Sequence, residues 1–248
     1  MSLLEIKRNW EEFAQTDPLW AILTDPTKKG GGWSPTEFFA SGEVEIDGVL
    51  KAGRELGLPR GRGRALDFGC GVGRLTQAMC RHFDACDGID IAPTMIEQAR
   101  RFNRFGDRCS DLQSEQPDLG RYADKTFDFI YSRLVLQHMP PPNAKRYMSE
   151  YVRALRPGGL LVFQVPGGSV TPFALLGRWQ RWRARRDARH RGSPIMEMFG
   201  IHPWEVRARL ALAGATLLRV EEDGGAGPPW RSFRYWATRT HSVTSLTG

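Results

Sequence analysis

A glycine-rich turn between a short apolar strand and a helix constrains the fold more than any other feature. The run from Arg64 to Phe68 predicts a strand with Asp67 near its end, and Gly69, Gly71 and Gly73 follow at alternate positions. Glycine is needed where a backbone turns sharply or comes close to a ligand. In open parallel sheets, ligands bind beyond the carboxyl ends of the strands. The sequence therefore predicts a ligand site at this turn.

Strands and helices alternate after this turn. Apolar runs predict strands at Arg64 to Phe68, Ala85 to Ile91, Arg108 to Ser110, Phe127 to Ser132, Leu160 to Val165, Ala215 to Val220 and Phe233 to Thr238. Helical periodicity and caps predict helices at Arg74 to His82, Pro93 to Phe105, Asn143 to Leu155 and His202 to Ala213. This order implies an α/β fold, with a mostly parallel sheet between two layers of helices.

Two segments lie outside this alternation. Residues 1–60 contain predicted helices at Asn9 to Gln15 and Thr36 to Leu56, and we expect them to form a helical N-terminal cap segment. Residues 167–204 interrupt the rhythm before the last helix and strands, and we expect a lid insertion there. We expect residues 1–248 to form a single domain, because 248 residues with 41% hydrophobic content suit one α/β core.

The composition sets the expected compartment. No apolar run reaches the roughly 20 residues that a membrane-spanning helix needs, and Met1 to Trp10 lacks the apolar centre of a secretion signal. We therefore expect a cytoplasmic protein, with peripheral membrane contact left open. The cysteines form no C-x-x-C pair and no zinc-ligand spacing, so we expect neither a disulfide nor a bound metal.

Two kinds of nucleotide site compete at the turn. A dinucleotide site would place a third glycine at position 74, but Arg74 stands there and Gly73 comes one residue earlier. An acidic residue, Asp67, precedes the first glycine by two positions. The sequence Asp67 to Gly73 resembles the first motif of class I S-adenosylmethionine-dependent methyltransferases. That cofactor has no pyrophosphate, and its ammonium suits a nearby carboxylate.

Later motifs extend the resemblance from Arg64 to Val165. An acid at Asp90, ending the second strand, can accept hydrogen bonds from both ribose hydroxyls, although it could instead only cap the next helix. The run Ile91 to Met95 is similar to the family's usual continuation, Asp111-Leu112 ends the third strand, Phe127 to Ser132 is similar to its fourth-strand motif, and Leu155 to Leu161 to its entry into the fifth strand.

The resemblance implies a Rossmann-like three-layer sandwich with seven strands in the order 3-2-1-4-5-7-6, the last antiparallel. It also implies S-adenosyl-L-methionine as the cofactor. The residues expected at the cofactor are Asp67, Gly69, Cys70, Gly71, Gly73, Asp90, Ile91, Met95, Asp111, Leu112, Ser132 and Arg133. Among them, Ile91 or Met95 would pack on the adenine, and Asp111 would accept a hydrogen bond from the adenine amino group. Cys70 would contribute only its backbone.

The acceptor side is less constrained. Transfer from a sulfonium mainly needs alignment of acceptor, methyl and sulfur, and a hydroxyl acceptor is helped by a general base within hydrogen-bond reach. His138, on the loop after the fourth strand, is the candidate base, with a structural role as the alternative. Trp33 and Phe39 in the N-terminal segment, and His202 and Trp204 after the insertion, are the candidate acceptor-binding residues, with core packing or helix capping as alternatives.

The net charge of +7 is concentrated in one stretch, since Arg178 to Arg191 holds seven arginines and one aspartate. A solvated helix face, an anionic acceptor, and contact of residues 173–191 with an anionic membrane all fit this pattern. Nucleic acid is disfavoured because no recognised binding module accompanies the charge.

The sequence therefore predicts an enzyme that transfers a methyl group to a small-molecule acceptor, with oxygen favoured as the methylated atom. Alternatives remain open: N- or C-methylation of an anionic or membrane-associated acceptor, a nucleotide-cofactor oxidoreductase, or a non-catalytic binding module on the same fold.

Overall fold

A seven-stranded sheet in the order β3-β2-β1-β4-β5-β7-β6 forms the centre of the molecule. The computed structural model describes residues 1–169, 194–228 and 230–239. Its strands are β1 (Arg64–Phe68), β2 (Ala85–Asp90), β3 (Cys109–Gln113), β4 (Phe127–Ser132), β5 (Leu155–Ser169), β6 (Ala215–Glu222) and β7 (Trp230–Arg239). Strands β1 to β5 pair in parallel, and β7 runs antiparallel to both β5 and β6. The predicted strand order is confirmed.

Helices cover both faces of this sheet. They are α1 (Leu3–Thr16), α2 (Pro18–Ile22), α3 (Pro35–Glu55), α4 (Arg74–Met79), α5 (Pro93–Phe102), α6 (Pro141–Ala154) and α7 (Pro203–Leu212). Because successive strand side chains point to opposite faces, Leu66 joins a core with α1, α6 and α7, while Ala65 joins one with α3 and α4. The predicted three-layer arrangement is therefore present.

The N-terminal segment is more helical than the sequence predicts. Helix α1 begins at Leu3 rather than Asn9, because Ser2 and Glu5 form a capping box in which each side chain accepts from the other's backbone N–H. Helix α3 begins at Pro35 behind the Ser34 cap, one residue before the predicted start at Thr36. It packs closely on α4 through Gly42, where a Cβ would lie 2.6 Å from the Arg74 carbonyl oxygen.

Strand β3 differs from the prediction in a way that matters for the site. It spans Cys109–Gln113 rather than ending before Asp111, because β2 continues to pair with it through Gly88–Asp111 and Asp90–Gln113. Asp111 is therefore a buried mid-strand residue. Strand β5 likewise begins early, at Leu155, which pairs with Phe127.

The predicted lid insertion is only partly described. Residues 194–202 run without helix or strand to the start of α7, and the part of the insertion with the basic stretch 178–191 lies outside the described residues. In the described part of the chain, no helix combines the length and apolarity required to cross a bilayer.

Candidate active site

The glycine turn lies where β1 passes into α4. Gly69 and Gly71 have φ values of +78° and +53°, in the left-handed region that favours glycine. A Cβ on Gly69 would lie 2.2 Å from Val135 Cγ2, and one on Gly71 would lie 2.4 Å from Ile22 Cδ1. Both glycines therefore let the turn pack closely against side chains from other elements while its backbone faces a cavity.

Asp90 ends β2 beside this turn. Its Oδ2 accepts the Gly71 N–H at 3.0 Å and its Oδ1 accepts the Ala92 N–H at 2.9 Å. Burial raises the pKa of Asp90, although these backbone hydrogen bonds oppose the shift. Each carboxylate oxygen has a further lone pair available for a ligand hydroxyl. Asp90, Ile91 and Met95 all line the cavity, as the sequence predicts for cofactor-binding residues.

The cavity has a volume of about 310 Å³ and opens between the carboxyl ends of the central strands and the N-terminal helices. Its wall contains the glycine turn and Asp90. It also contains apolar side chains from α1, from the loop after β4 and from residues 196–198, namely Leu3, Ile6, Trp10, Met139, Met196 and Met198. The cavity is therefore lined by a few polar groups among many apolar ones, as is common for small-molecule sites.

Two predicted cofactor carboxylates lie beneath the turn instead of facing the cavity. Asp67 is buried and accepts a hydrogen bond from Thr76 Oγ1 at 2.8 Å, and burial raises its pKa to about 7. Asp111 Oδ1 lies close to the positions that Cβ atoms on Gly73 and Gly88 would occupy, and burial raises the Asp111 pKa to about 6. Neither residue lines the cavity, and their contact with a cofactor stays a prediction. Cys70, Gly73 and Leu112 are also absent from the cavity wall.

The raised pKa of Asp67 predicts a pH dependence of stability. The buried carboxyl keeps its proton up to about pH 7, whereas the unfolded chain loses it near 3.8. Its contribution to stability is therefore largest below pH 3.8 and is lost as the pH rises to 7. Asp67→Asn stays neutral and can still accept from Thr76. Between pH 5 and pH 8, we expect the free energy of unfolding of the variant to rise by on the order of 2 kcal/mol relative to that of wild type. Denaturant unfolding at several pH values measures this difference. Curves of unfolding free energy against pH that run parallel for wild type and Asp67→Asn would refute the prediction.

Ser132 and Arg133 follow β4. Ser132 is fully buried and does not line the cavity, so its contact with the cofactor stays a prediction, whereas Arg133 does line the cavity. Arg133 and Arg74 both pair with Glu45 of α3, at 2.7 Å and 2.8 Å. Tyr131 Oη also donates to Glu45 at 2.8 Å. Although burial alone would raise it, the two guanidiniums lower the pKa of Glu45 to about 2. An ion-pair network thus supports the cavity wall.

His138 lines the cavity, as predicted, but both ring nitrogens have protein partners. Nδ1 lies 2.7 Å from the Glu197 carbonyl oxygen, and Nε2 lies 3.1 Å from Gln137 Nε2. The Trp10 ring packs edge-on with centroids 5.0 Å apart. Burial lowers the pKa of His138 to about 4, so the imidazole is neutral at physiological pH.

The four predicted acceptor-binding residues do not line the cavity. Phe39 is buried against Phe102, and Trp33 packs on Phe38 and donates its indole N–H to the Leu23 carbonyl. His202 caps α7 by accepting the Trp204 N–H, and Trp204 is 63% exposed. These contacts fit the alternative roles in packing and capping, and acceptor binding by the four residues stays an untested prediction.

Sequence reasoning missed most of the apolar wall. Trp10 belongs to no motif in the sequence, and Met196 and Met198 follow the basic stretch without a motif of their own. The turn Gly224 to Gly227 also lines the cavity. Its three glycines were a signal, since a glycine cluster between two strands marks either a turn or a close approach.

Comparisons with known proteins identify the fold and the family. A family model described as a methyltransferase domain matches residues 66–163. The ubiquinone biosynthesis O-methyltransferase of Xanthomonas oryzae pv. oryzae (strain PXO99A) is 30% identical over 178 residues, covering 71% of this chain and 72% of that protein. The protein of the same name from Xylella fastidiosa (strain 9a5c) is 26% identical over 224 residues, covering 85% and 82%.

Solved structures show the same fold at lower identity. The magnesium protoporphyrin IX methyltransferase of Synechocystis PCC 6803, with bound S-adenosylhomocysteine, superimposes with a TM-score of 0.66 at 17% identity, covering 96% of this chain and 99% of that chain. An S-adenosylmethionine-dependent methyltransferase of Mesorhizobium loti gives 0.56 at 22% identity, covering 76% and 96%.

Proposed function

This chain belongs to the class I S-adenosylmethionine-dependent methyltransferases, and we propose that it methylates a hydroxyl oxygen of an uncharged, largely apolar aromatic acceptor. One observation carries the proposal: a single cavity is lined both by polar groups and by apolar side chains. We assign the part with Asp90 and the glycine turn to the cofactor, as its polar end, and the apolar part to the acceptor, as its other end. The similarity to ubiquinone biosynthesis O-methyltransferases supports oxygen as the methylated atom.

The residues at the polar end fit the cofactor. Asp90 would accept both ribose hydroxyls with the lone pairs that Gly71 and Ala92 leave available. Ile91 and Met95, at the same end, would pack on the adenine. Gly69 and Gly71 present backbone without side chains at the cavity wall, which leaves room for the methionyl part. When bound, S-adenosylmethionine supplies a methyl group already activated by its sulfonium.

The other end favours an uncharged acceptor. Of the described residues that line the cavity, Asp90 and Arg133 are the acidic and basic ones. Asp90 belongs to the cofactor end, and Arg133 is already paired with Glu45. Among the described lining residues, a carboxylated or phosphorylated acceptor would therefore meet no arginine free of a carboxylate partner, and burying its charge there would be costly. Met139, Met196 and Met198 can adapt to the shape of an aromatic ring.

Catalysis by this site would rest mainly on orientation. The apolar wall would exclude water and hold the acceptor oxygen in line with the methyl group and the sulfur. A phenolic acceptor would lose its proton to solvent before the site encloses it, which suits a described wall whose His138 imidazole is neutral and already hydrogen-bonded. The chain's own task is then to bind, align and desolvate.

The predicted domain organisation and membrane contact remain proposals. We propose that residues 1–60 and 167–204 are parts of one methyltransferase domain, because α1 and residues 196–198 both line its cavity. Contact of residues 173–191 with an anionic membrane rests on the sequence alone, since those residues lie outside the described part of the chain.

The acceptor class can be tested with three matched compounds. An apolar catechol, the corresponding aromatic diamine and a carboxylated catechol would be incubated with protein and S-adenosylmethionine labelled on the methyl group. We expect label on the oxygen of the apolar catechol, with kcat/KM at least about tenfold lower for the carboxylated compound. Preference for the diamine or for the carboxylated catechol would contradict the proposal.

A substitution in the apolar wall supplies a second prediction. Trp10→Ala removes a large side chain from the cavity, and losing roughly 1.5–3 kcal/mol of apolar burial would raise the acceptor KM about 10- to 100-fold. Trp204→Ala is the matched control, because Trp204 is exposed and is not among the residues that line the cavity. Steady-state kinetics distinguishes the two variants. A larger effect from Trp204→Ala would place the acceptor elsewhere.

A further inference from the structure

A chain of buried hydrogen bonds runs from the backbone of the loop after β4 to the imidazole of His138. The Leu134 N–H donates to Gln164 Oε1 at 3.0 Å, and Gln164 Nε2 donates to Gln137 Oε1 at 3.1 Å. Gln137 Nε2 then meets His138 Nε2 at 3.1 Å, and His138 Nδ1 meets the Glu197 carbonyl oxygen at 2.7 Å. The three side chains are at most 5% exposed.

The two ends of this chain fix the direction of every bond in it. A backbone N–H can only donate, so Gln164 must turn its oxygen to Leu134 and its amide nitrogen to Gln137. Gln137 then accepts with its oxygen and donates with its nitrogen, which requires an unprotonated Nε2 on His138. From the other end, a carbonyl can only accept, so Nδ1 must carry the proton. Both ends give the same tautomer.

The imidazole is therefore fully used. Its proton is donated to Glu197 and its lone pair accepts from Gln137, so neither nitrogen is available to an acceptor hydroxyl without breaking a buried bond. We propose that Gln164 is a positioning residue that, through Gln137, locks His138 in the neutral Nδ1–H tautomer, and that His138 fastens the acceptor wall instead of receiving a proton.

The fastened wall is the segment that carries Met196 and Met198. Two neighbouring residues hold it: His138 bonds the Glu197 carbonyl, and the Gln137 carbonyl accepts the Phe199 N–H at 2.7 Å. Both methionines lie on the cavity. If His138 left the Nδ1–H tautomer, its bond to the Glu197 carbonyl would be lost and the segment with both methionines would be held less firmly. We therefore expect weaker acceptor binding. In assigning this wall to the acceptor, the inference rests on the proposed function.

Other titratable groups in the cavity do not form the hydrogen bonds that hold the His138 tautomer. Asp90, Arg133 and Tyr147 share the cavity with His138, yet the hydrogen bonds of the imidazole go to Gln137 and to Glu197. Burial lowers the pKa of His138, while the Glu197 carbonyl raises it. A protonated imidazole would need a hydrogen-bond acceptor at Nε2. Gln137 can turn its side-chain oxygen to Nε2 only if that oxygen no longer accepts from Gln164 Nε2.

The tautomer can be read directly by 15N NMR of the imidazole in the cofactor-loaded protein, with no acceptor present. We expect a neutral Nδ1–H ring from pH 6 to pH 8.5 in wild type. Gln164→Glu cannot donate to Gln137, so Gln137 should reverse, present its oxygen to Nε2 and favour the imidazolium. We expect a rise in the His138 pKa, with a smaller rise in Gln164→Leu. A wild-type ring that is Nε2–H, or that titrates between pH 6 and pH 8.5, would overturn the proposal even if a variant failed to fold.

Kinetics separates the lock from a general base. His138→Asn places an amide N–H near the position of Nδ1 and can still reach Glu197, whereas His138→Gln places its amide near Nε2. We expect the acceptor KM to rise about tenfold more in His138→Gln than in His138→Asn, because only the asparagine can keep the bond to the Glu197 carbonyl. A loss of roughly 10²- to 10⁴-fold in kcat in both variants, with loss of the acidic limb of the pH profile, would identify a base and refute the lock. If no acceptor tested is methylated, the proposed function fails while the NMR result still decides the tautomer.

Discussion

Replacing Asp90 with alanine is expected to weaken binding of S-adenosylhomocysteine about 100-fold. The carboxylate is the proposed acceptor for both ribose hydroxyls, and it also fixes the glycine turn through the Gly71 N–H. Hydrogen bonds to a charged group contribute roughly 1.5–3 kcal/mol each, and about 3 kcal/mol corresponds to roughly 100-fold in Kd. Isothermal titration calorimetry measures this change.

Asp107→Ala is the matched control, because Asp107 is an exposed carboxylate outside the cavity wall. We expect its Kd to match wild type. The Kd of Asp90→Asn should lie between those of Asp90→Ala and Asp107→Ala, since the amide keeps one oxygen acceptor. Equal affinity in wild type and Asp90→Ala would mean that Asp90 only caps the Ala92 N–H, which was the alternative role open at the sequence level.

Replacing Glu45 with alanine is expected to lower the free energy of unfolding by about 3–5 kcal/mol, because two buried guanidiniums would lose their shared carboxylate. Arg74 is 4% exposed, Arg133 is largely buried, and Tyr131 would also lose its hydrogen-bond acceptor. In a chain of this size the loss corresponds to a decrease of roughly 10 °C in Tm. Denaturant and thermal unfolding both measure it.

The same substitution carries a pH signature. The Glu45 pKa is lowered from 4.5 to about 2, so its contribution to stability is fully present above pH 4.5 and is lost as the pH falls to 2. The difference in unfolding free energy between wild type and Glu45→Ala should therefore decrease as the pH falls from 4.5 to 2. Glu55→Ala, at the exposed end of the same helix, should change stability by less than about 0.5 kcal/mol. Similar losses in both variants would show that the ion-pair network around Glu45 does not explain the effect.

Local patterns were enough to predict the framework of the site. Glycines at the turn are required by backbone geometry, and Asp90 follows from its position at the end of a strand, so both could be read from neighbouring residues. Strand order followed from the resemblance and is confirmed by the pairing. Such features depend on short stretches of chain whose conformation is set locally.

Features set by tertiary packing were not predictable in this way. Asp111 was placed at a strand end, but pairing with β2 extends β3 past it and turns it beneath the glycine turn. The acceptor wall joins α1, the loop after β4 and residues 196–198, which are far apart in sequence. Aromatic residues such as Phe39 and Trp10 look alike in a sequence, yet the first is core and the second lines the cavity.

The most direct measurement is a crystal structure of this protein grown with S-adenosylhomocysteine. The account predicts the ribose hydroxyls on the Asp90 carboxylate, the adenine against Ile91 or Met95, and the sulfur directed toward the wall formed by Met139 and Met198. A nucleoside held at any other surface, with the Asp90 carboxylate making only its two backbone contacts, would contradict it.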